Sequence, residues 1–229
     1  MQLDGTPVGR RIVLGMVGLG ALGVVAGRPL ANAITSLARH VPSGVSAIVP
    51  GGGFRFYTVT DEPTVAPADY RLKVSGLVDR PGELDLTALA ALPQTHLVRD
   101  FQCVTGWRVP DVPWSGVRLG DLLDHVGLAD GATAVNFTSF DGVYTESLTI
   151  AEARRPDVLV ATQMLGAPVT RAHGGPVRLY VAHMYGYKSL KWLGGIDVTS
   201  HVDAGYWELR GYDTEAWVGS SNGRSDAPI

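Results

Sequence analysis

Glycine and proline limit the length of anything this chain can build. With 29 glycines and 14 prolines among 229 residues, breakers recur too often for long helices and favour short strands joined by turns. Residues 70–74 alternate polar and apolar, the period of a half-buried strand. Asp79-Arg80-Pro81-Gly82 is a turn signal, after which 84–86 continues a hairpin. Thr87 is the expected cap of a short helix through Leu92, stopped by Pro93. Residues 95–101 read as a strand, with Pro110, Pro113 and Trp114 forming a rigid loop beyond it. Leu119, Leu122, Leu123 and Val126 share one face at helical spacing, so 119–126 reads as a helix and Gly127 as its stop. Further strands are expected over 134–140 and 143–148, around the hairpin signal Asp141-Gly142, and over 158–164, 177–181 and 190–198. One helical turn falls over 150–154, and 56–60 also has strand composition. The fold class expected is α+β: mixed β-sheets with short helices at the margins.

Folded structure is expected to start at Phe54. Residues 1–33 differ in kind. Arg10-Arg11, an uncharged apolar run from 12 to 26, Arg28 and Ala31-Asn32-Ala33 make a basic region, an apolar core and an A-x-A-like cleavage site. The paired arginines and Gly-rich core resemble a twin-arginine export signal. The core is shorter than the roughly 20 residues that span a bilayer; an uncleaved membrane anchor is the alternative. Residues 34–53, ending in three glycines, read as a linker, 54–215 as the domain, and the Gly- and Ser-rich 216–229 as a loose tail. A net charge of −3 supplies no basic field for nucleic acid. The histidines lack spacings such as H-x-x-x-H, which argues against zinc.

The single cysteine lies in Phe101-Gln102-Cys103-Val104-Thr105-Gly106-Trp107. An unpaired thiol is an inert packing group, a reactive group or a metal ligand. Its place, where a strand gives way to a Gly-containing loop, is where scaffolds present chemistry. A second stretch runs from His173-Gly174-Gly175-Pro176-Val177-Arg178-Leu179 to Tyr185-Gly186-Tyr187-Lys188-Ser189-Leu190-Lys191-Trp192-Leu193. There Arg178 and Lys191 interrupt apolar strands, and glycines beside them allow close backbone approach. Surface cations are the plain alternative.

These two stretches, with Phe56-Tyr57-Thr58 before them and Gly205-Tyr206-Trp207-Glu208-Leu209-Arg210-Gly211-Tyr212 after, resemble the sulfite oxidase family of molybdopterin enzymes over about 54–212. The resemblance implies a sulfite-oxidase-type molybdopterin-binding fold and Mo-molybdopterin as cofactor. It makes Cys103 the metal ligand; one suffices, because the cofactor's dithiolene brings the other sulfurs. Arg178 and Lys191 become phosphate partners, with Lys188 assisting and the backbone N–H groups of Ser189 and Leu190 as further donors. Tyr57, Thr58 and His173 fall on pterin contacts, and Ser139, or Thr138 one register away, on a cofactor hydrogen bond. Tyr144 aligns with the active-site tyrosine of sulfite oxidases, a phenol that can donate to a transferred oxygen. Trp107 and Trp114 wall or underlie the pocket. Two departures matter. Val59 and Thr60 stand where sulfite oxidases carry an arginine and an asparagine, and His173 stands where reductase-like members carry asparagine. The missing arginine contacts the substrate anion, so the resemblance is closer to exported bacterial reductase-type members. It implies oxygen-atom transfer from a small-molecule or protein-bound oxo substrate such as a sulfoxide. Electrons would come from a membrane haem-containing subunit or cytochrome, since no C-x-x-C-H motif is present. Sulfite oxidation is the second reading. A cofactor-free binding module is the third, and it predicts loss of Cys103 or of both cations. A monomer is expected, periplasmic or on the outer face of the cytoplasmic membrane, with no C-terminal Ig-like dimerisation domain.

Overall fold

A computed structural model describes residues 53–229. The expected export signal over 1–33 and the linker over 34–53, Gly53 apart, lie outside the described residues. Two five-stranded sheets form the domain. The first contains β1 (Leu72–Gly76), β2 (Gly82–Leu84), β5 (Ala134–Ser139), β6 (Thr145–Thr149) and β10 (Leu193–Thr199), in the order β2-β1-β10-β5-β6. The second runs β3 (Gln94–Gln102), β4 (Arg108–Arg118), β7 (Val158–Met164), β8 (Ala167–Pro168), and β9 (Arg178–Val181) also pairs with β7. Only β1 and β10 pair in parallel; the other ladders between these strands are antiparallel. Helices α1 (Leu86–Ala91), α2 (Leu119–Val126) and α3 (Ile150–Ala153) are short connectors.

Strand alternation explains the two hydrophobic cores. Along β7, Val158 and Val160 face a core shared with the first sheet and α2, while Leu159 and Ala161 face a second core. Along β9, Leu179 and Val181 join the first core, and Tyr180, followed by Ala182, joins the second. A strand covered on both faces has no polar side, which is why 158–161 reads as unbroken apolar sequence. The helix over 119–126 forms as its spacing requires. Leu119, Leu122, Leu123 and Val126 are buried, and Gly127 at φ 72° ends it.

Five expectations are corrected. Residues 56–60 form no strand: the Thr58 hydroxyl donates to Thr60 O (2.5 Å) and accepts from Thr60 N (3.2 Å). That local turn takes groups a ladder would need. The cap of α1 is Asp85, whose carboxylate accepts from Ala88 N at 2.7 Å, and Thr87 lies inside the helix. Pro110, Pro113 and Trp114, expected in a rigid loop, lie in the strand β4. Pro110 sits in a bulge opposite Asp100, and Pro113 O accepts from Leu165 N beyond the end of the β7 ladder, so neither proline interrupts pairing. The strand expected over 190–198 begins at Leu193, because the chain bends over 191–192, where Trp192 has φ 56°. The segment 216–229 is not loose: Ala216 and Val218 are buried, Met184 bridges to Trp217, and Tyr185 donates to Asp226 at 2.9 Å. Arg224 pairs with Asp226 at 2.6 Å, and Arg108 donates to Ala227 O.

Candidate active site

Cys103 follows the last residue of β3 and sits in a tight turn. Its N–H donates to Trp107 O (2.9 Å), and Gly106 N donates back to Cys103 O (3.0 Å). Gly106 has φ 99°, and a Cβ there would lie 2.8 Å from the Arg224 guanidinium, so glycine serves both backbone and packing. The thiol is partly exposed and accepts a hydrogen bond from Thr105 Oγ1 at 3.3 Å. The connection after β9 lies directly against this turn. Gly186 N donates to Gln102 O (2.8 Å), and a Cβ on Gly186 would meet the Phe101 ring at 2.5 Å. One glycine therefore brings the second motif stretch, Tyr185 to Leu193, alongside Cys103.

Between them lies a cleft of about 1040 Å³, solvent at its mouth included. Cys103, Tyr57, Tyr144, His173, Arg178, Ser189, Leu190 and Lys191 all line it, as does Trp107. Its electrostatics are one-sided. Arg178 is buried, its guanidinium 5.5 Å from both the Phe101 and Trp114 ring centres. It donates to His173 O (2.7 Å), Ser189 O (2.8 Å) and Leu179 O (3.3 Å). Burial lowers it to about 10. Lys191 donates to Ala172 O (3.2 Å) and lies 4.5 Å from the Trp192 ring centre. Burial, then Arg178, lowers it to about 8. Among the described residues neither cation forms an ion pair with a carboxylate. Buried charges ordinarily have partners; this buried and half-buried pair is able to receive an anion from outside the chain. His173, edge-on to Phe54 and Phe56 at 4.9 and 4.8 Å, is lowered to about 4 by burial and both cations and is neutral at pH 7. The Tyr144 phenol, donating to Tyr187 O at 2.7 Å, is raised far above its ordinary value by burial and then by Glu146 and Glu208.

Other assignments fall elsewhere. The Ser139 hydroxyl bonds Asp141 and accepts from Tyr144 N (3.0 Å); with Thr138 it lines a separate hollow on the first sheet. Thr58 is absent from the cleft wall, its hydroxyl committed to Thr60. Lys188 is not a free cation. It is buried between Glu146 (2.8 Å) and Glu208 (2.5 Å). The N–H groups of Ser189 and Leu190 are used within the turn, on Gly186 O and Lys188 O, so these residues supply walls rather than donors. Trp114 lies under the site, stacked on Tyr180 at 4.0 Å. Sequence reasoning missed Arg55, Thr105, Tyr187, Trp207 and Tyr212 in the wall, and the two glutamates on Lys188. Glu146 carried a signal: it follows Tyr144 by two positions, the spacing of one strand face.

Residues 59–207 match the family model described as an oxidoreductase molybdopterin binding domain. The uncharacterized oxidoreductase YuiH of Bacillus subtilis is 36% identical over 143 residues, 62% of this chain and 72% of that protein. The putative protein-methionine-sulfoxide reductase subunit YedZ1 of Azospira oryzae is 36% identical over 169 residues, 73% of this chain and 63% of that protein. Among solved structures, the sulfane dehydrogenase SoxCD of Paracoccus pantotrophus aligns with a TM-score of 0.59 at 20% identity, over 67% of this chain and 43% of that one. The chain therefore belongs to the molybdopterin-binding oxidoreductase family. Its mixed sheets with few short helices are the sulfite-oxidase-type fold. It spans less than two thirds of the length of YedZ1 and of SoxCD.

Proposed function

We propose that this protein is an exported molybdopterin-dependent oxidoreductase that uses Cys103 as its ligand to molybdenum and reduces a sulfoxide-type substrate, small or protein-bound. The observation that carries the reading is a lone thiol sharing one cleft with a buried and a half-buried cation, neither ion-paired with a carboxylate among the described residues. A soft thiolate suits a thiophilic metal, and a phosphate ester supplies the anion that Arg178 and Lys191 lack. Trp107 Nε1, buried in the wall without a protein partner, offers one more donor. The residues present thus fit Mo-molybdopterin, which when bound supplies the two-electron chemistry that moves an oxygen atom between substrate and water.

Arg178, fixed by three carbonyls, presents its remaining N–H groups as a rigid fork, and Lys191 adds a compact charge. Neutral His173 can donate or accept beside them. Tyr144 stays protonated at equilibrium across the physiological range and so presents a hydrogen-bond donor. The aromatic mouth of Phe56, Tyr57 and Trp107 limits water around the reacting atoms. Electrons come in this reading from a membrane haem-containing subunit or a cytochrome, and the protein works as a monomer in the periplasm or on the outer face of the cytoplasmic membrane. The twin-arginine-like segment supports export; among the described residues no helix is long and apolar enough to cross a membrane.

Sulfite oxidation is the second reading. Val59, in place of the family's anion-binding arginine, argues against it, while Arg55 and Tyr144 in the cleft wall favour it. Metal analysis of the purified protein beside Cys103→Ser tests the ligand: equal molybdenum and unchanged spectra in both would remove Cys103 from the role. Stopped-flow reoxidation of reduced enzyme by sulfoxides, set against reduction by sulfite, decides direction.

A further inference from the structure

We propose that Glu146 stores a proton that Tyr144 delivers to the oxygen leaving the substrate, a role that rests on the oxygen-transfer reading above. Beneath the cleft, Lys188 stands between two carboxyls, all three buried. If both acids were ionised, the cluster would bury a net negative charge with no further cation to balance it, an arrangement that costs several kcal/mol. The hydrogen bonds show which acid keeps the proton. Glu208 accepts from Lys188 on one oxygen and from Gly205 N on the other. Glu146 has one oxygen 2.8 Å from Lys188 Nζ, yet both of its oxygens are buried and neither accepts a well-aligned hydrogen bond. A neutral carboxyl there is a donor in search of an acceptor, and the Tyr144 hydroxyl stands beside it with its own hydrogen on Tyr187 O at 2.7 Å.

The chain excludes water around this pair. A Cβ on Gly205 would sit 2.9 Å from the Glu146 carboxyl, so glycine lets the 200–205 segment close over it. The charged and titratable groups facing Glu146 are Tyr144 on its own hairpin, Tyr187 and Lys188 on the connection after β9, and Glu208 on the 3₁₀ turn over Glu208–Arg210. Burial raises Glu146 to about 8 against the pull of Lys188, with Glu208 adding to the rise. The store is full at neutral pH and empties as pH climbs through about 8.

The overall reaction breaks the sulfur–oxygen bond of the sulfoxide and forms two O–H bonds: one sulfoxide, two electrons and two protons give one sulfide and one water. Sulfur is reduced, and an external one-electron haem donor is oxidised twice. One proton comes from Glu146 through the Tyr144 hydroxyl, which turns its own hydrogen from Tyr187 O to the leaving oxygen and takes the carboxyl's; the other comes from cleft water, which also refills Glu146 by the same route. Glu146 touches no substrate and acts through Tyr144.

The test uses the molybdenum-loaded full chain and two readouts. Infrared spectroscopy without substrate is expected to show the C=O stretch of a protonated carboxyl at pH 7. The band should fade as pH rises through 8, be missing in Glu146→Gln and persist in Tyr144→Phe. With a dialkyl sulfoxide and a reduced dye, kcat of wild type should fall along an alkaline limb near 8. Glu146→Gln and Tyr144→Phe should each lose about 10- to 100-fold and the limb, and the double variant should lose no more than the worse single. A wild type lacking the band, a band unchanged in Glu146→Gln, or a wild-type pH profile in that variant overturns the relay. If Glu146→Gln does not fold or load metal, the wild-type band and its titration decide. If wild type reduces no sulfoxide, the functional reading fails, and the same pH profiles taken with sulfite as donor judge the relay by themselves.

Discussion

Lys191→Met is expected to make the apoprotein more stable and the holoprotein less well loaded. The Lys191 ammonium is held near 8 by burial and Arg178, against 10.5 for a free lysine. At about 1.36 kcal/mol per pH unit, that difference sets an upper bound of about 3 kcal/mol on what the charge costs the fold. Water reaching part of the side chain brings the cost to about 1–2 kcal/mol. Losing the bond to Ala172 O returns about 0.5–1 kcal/mol, and methionine keeps an unbranched stem against Trp192. The net gain for the apoprotein at pH 7 is about 1 kcal/mol, a few degrees in Tm. Because the folded value lies below the unfolded one, the unfolded chain binds more protons between about 8 and 10.5. Wild-type apoprotein therefore gains stability as pH rises through that window, and the variant does not share the gain. Cofactor retention moves oppositely. A charge-assisted bond to an anion is worth about 1.5–3 kcal/mol, so the variant should hold the cofactor about 10- to 150-fold more weakly. Urea unfolding of apoprotein at pH 7 and 9, with molybdenum and pterin content after gel filtration, measures both. A variant with wild-type cofactor content, or an apoprotein destabilised at pH 7, would refute the assignment of Lys191 as a cation held for a ligand.

Lys188→Met leaves Glu146 and Glu208 facing each other without a cation and should cost about 3–5 kcal/mol in urea unfolding at pH 7, with a further loss above pH 8. Gly174→Ala places a Cβ 2.5 Å from Lys191 Cβ at φ 96°; a loss of about 2–3 kcal/mol is expected, with poorer molybdenum retention as Lys191 is displaced. His173 is favoured neutral in the fold, with a value near 4 against 6.5 when free. Wild-type stability should therefore fall as pH drops from 6.5 to 4, and His173→Gln should flatten that fall in unfolding midpoints at pH 4.5 and 7.

What the sequence disclosed follows from the range of the forces involved. The helix over 119–126 was legible because one apolar face within eight residues determines it, and β7 because burial on both faces left unbroken apolar sequence. The strand over 108–118 was not, since proline reads as a breaker unless a bulge and a ladder end are known to receive it. The Cys103 segment, Arg178 and Lys191 were legible as a group from their motifs. Lys188 looked equivalent to Lys191; only folding decides that one meets two carboxylates and the other none, because Glu146 and Glu208 come from different segments. Ser139 lay in the right segment, yet the short hairpin turned its hydroxyl to Asp141.

Residues 224–227 are made after every other part of the thiol's surroundings, and they brace the Cys103 turn through Arg224 beside Gly106 and through the Arg108 contact to Ala227. A nascent chain stalled before them has the thiol but not its buttress. A site at this turn is expected to take up its prosthetic group only once 224–227 have emerged and packed.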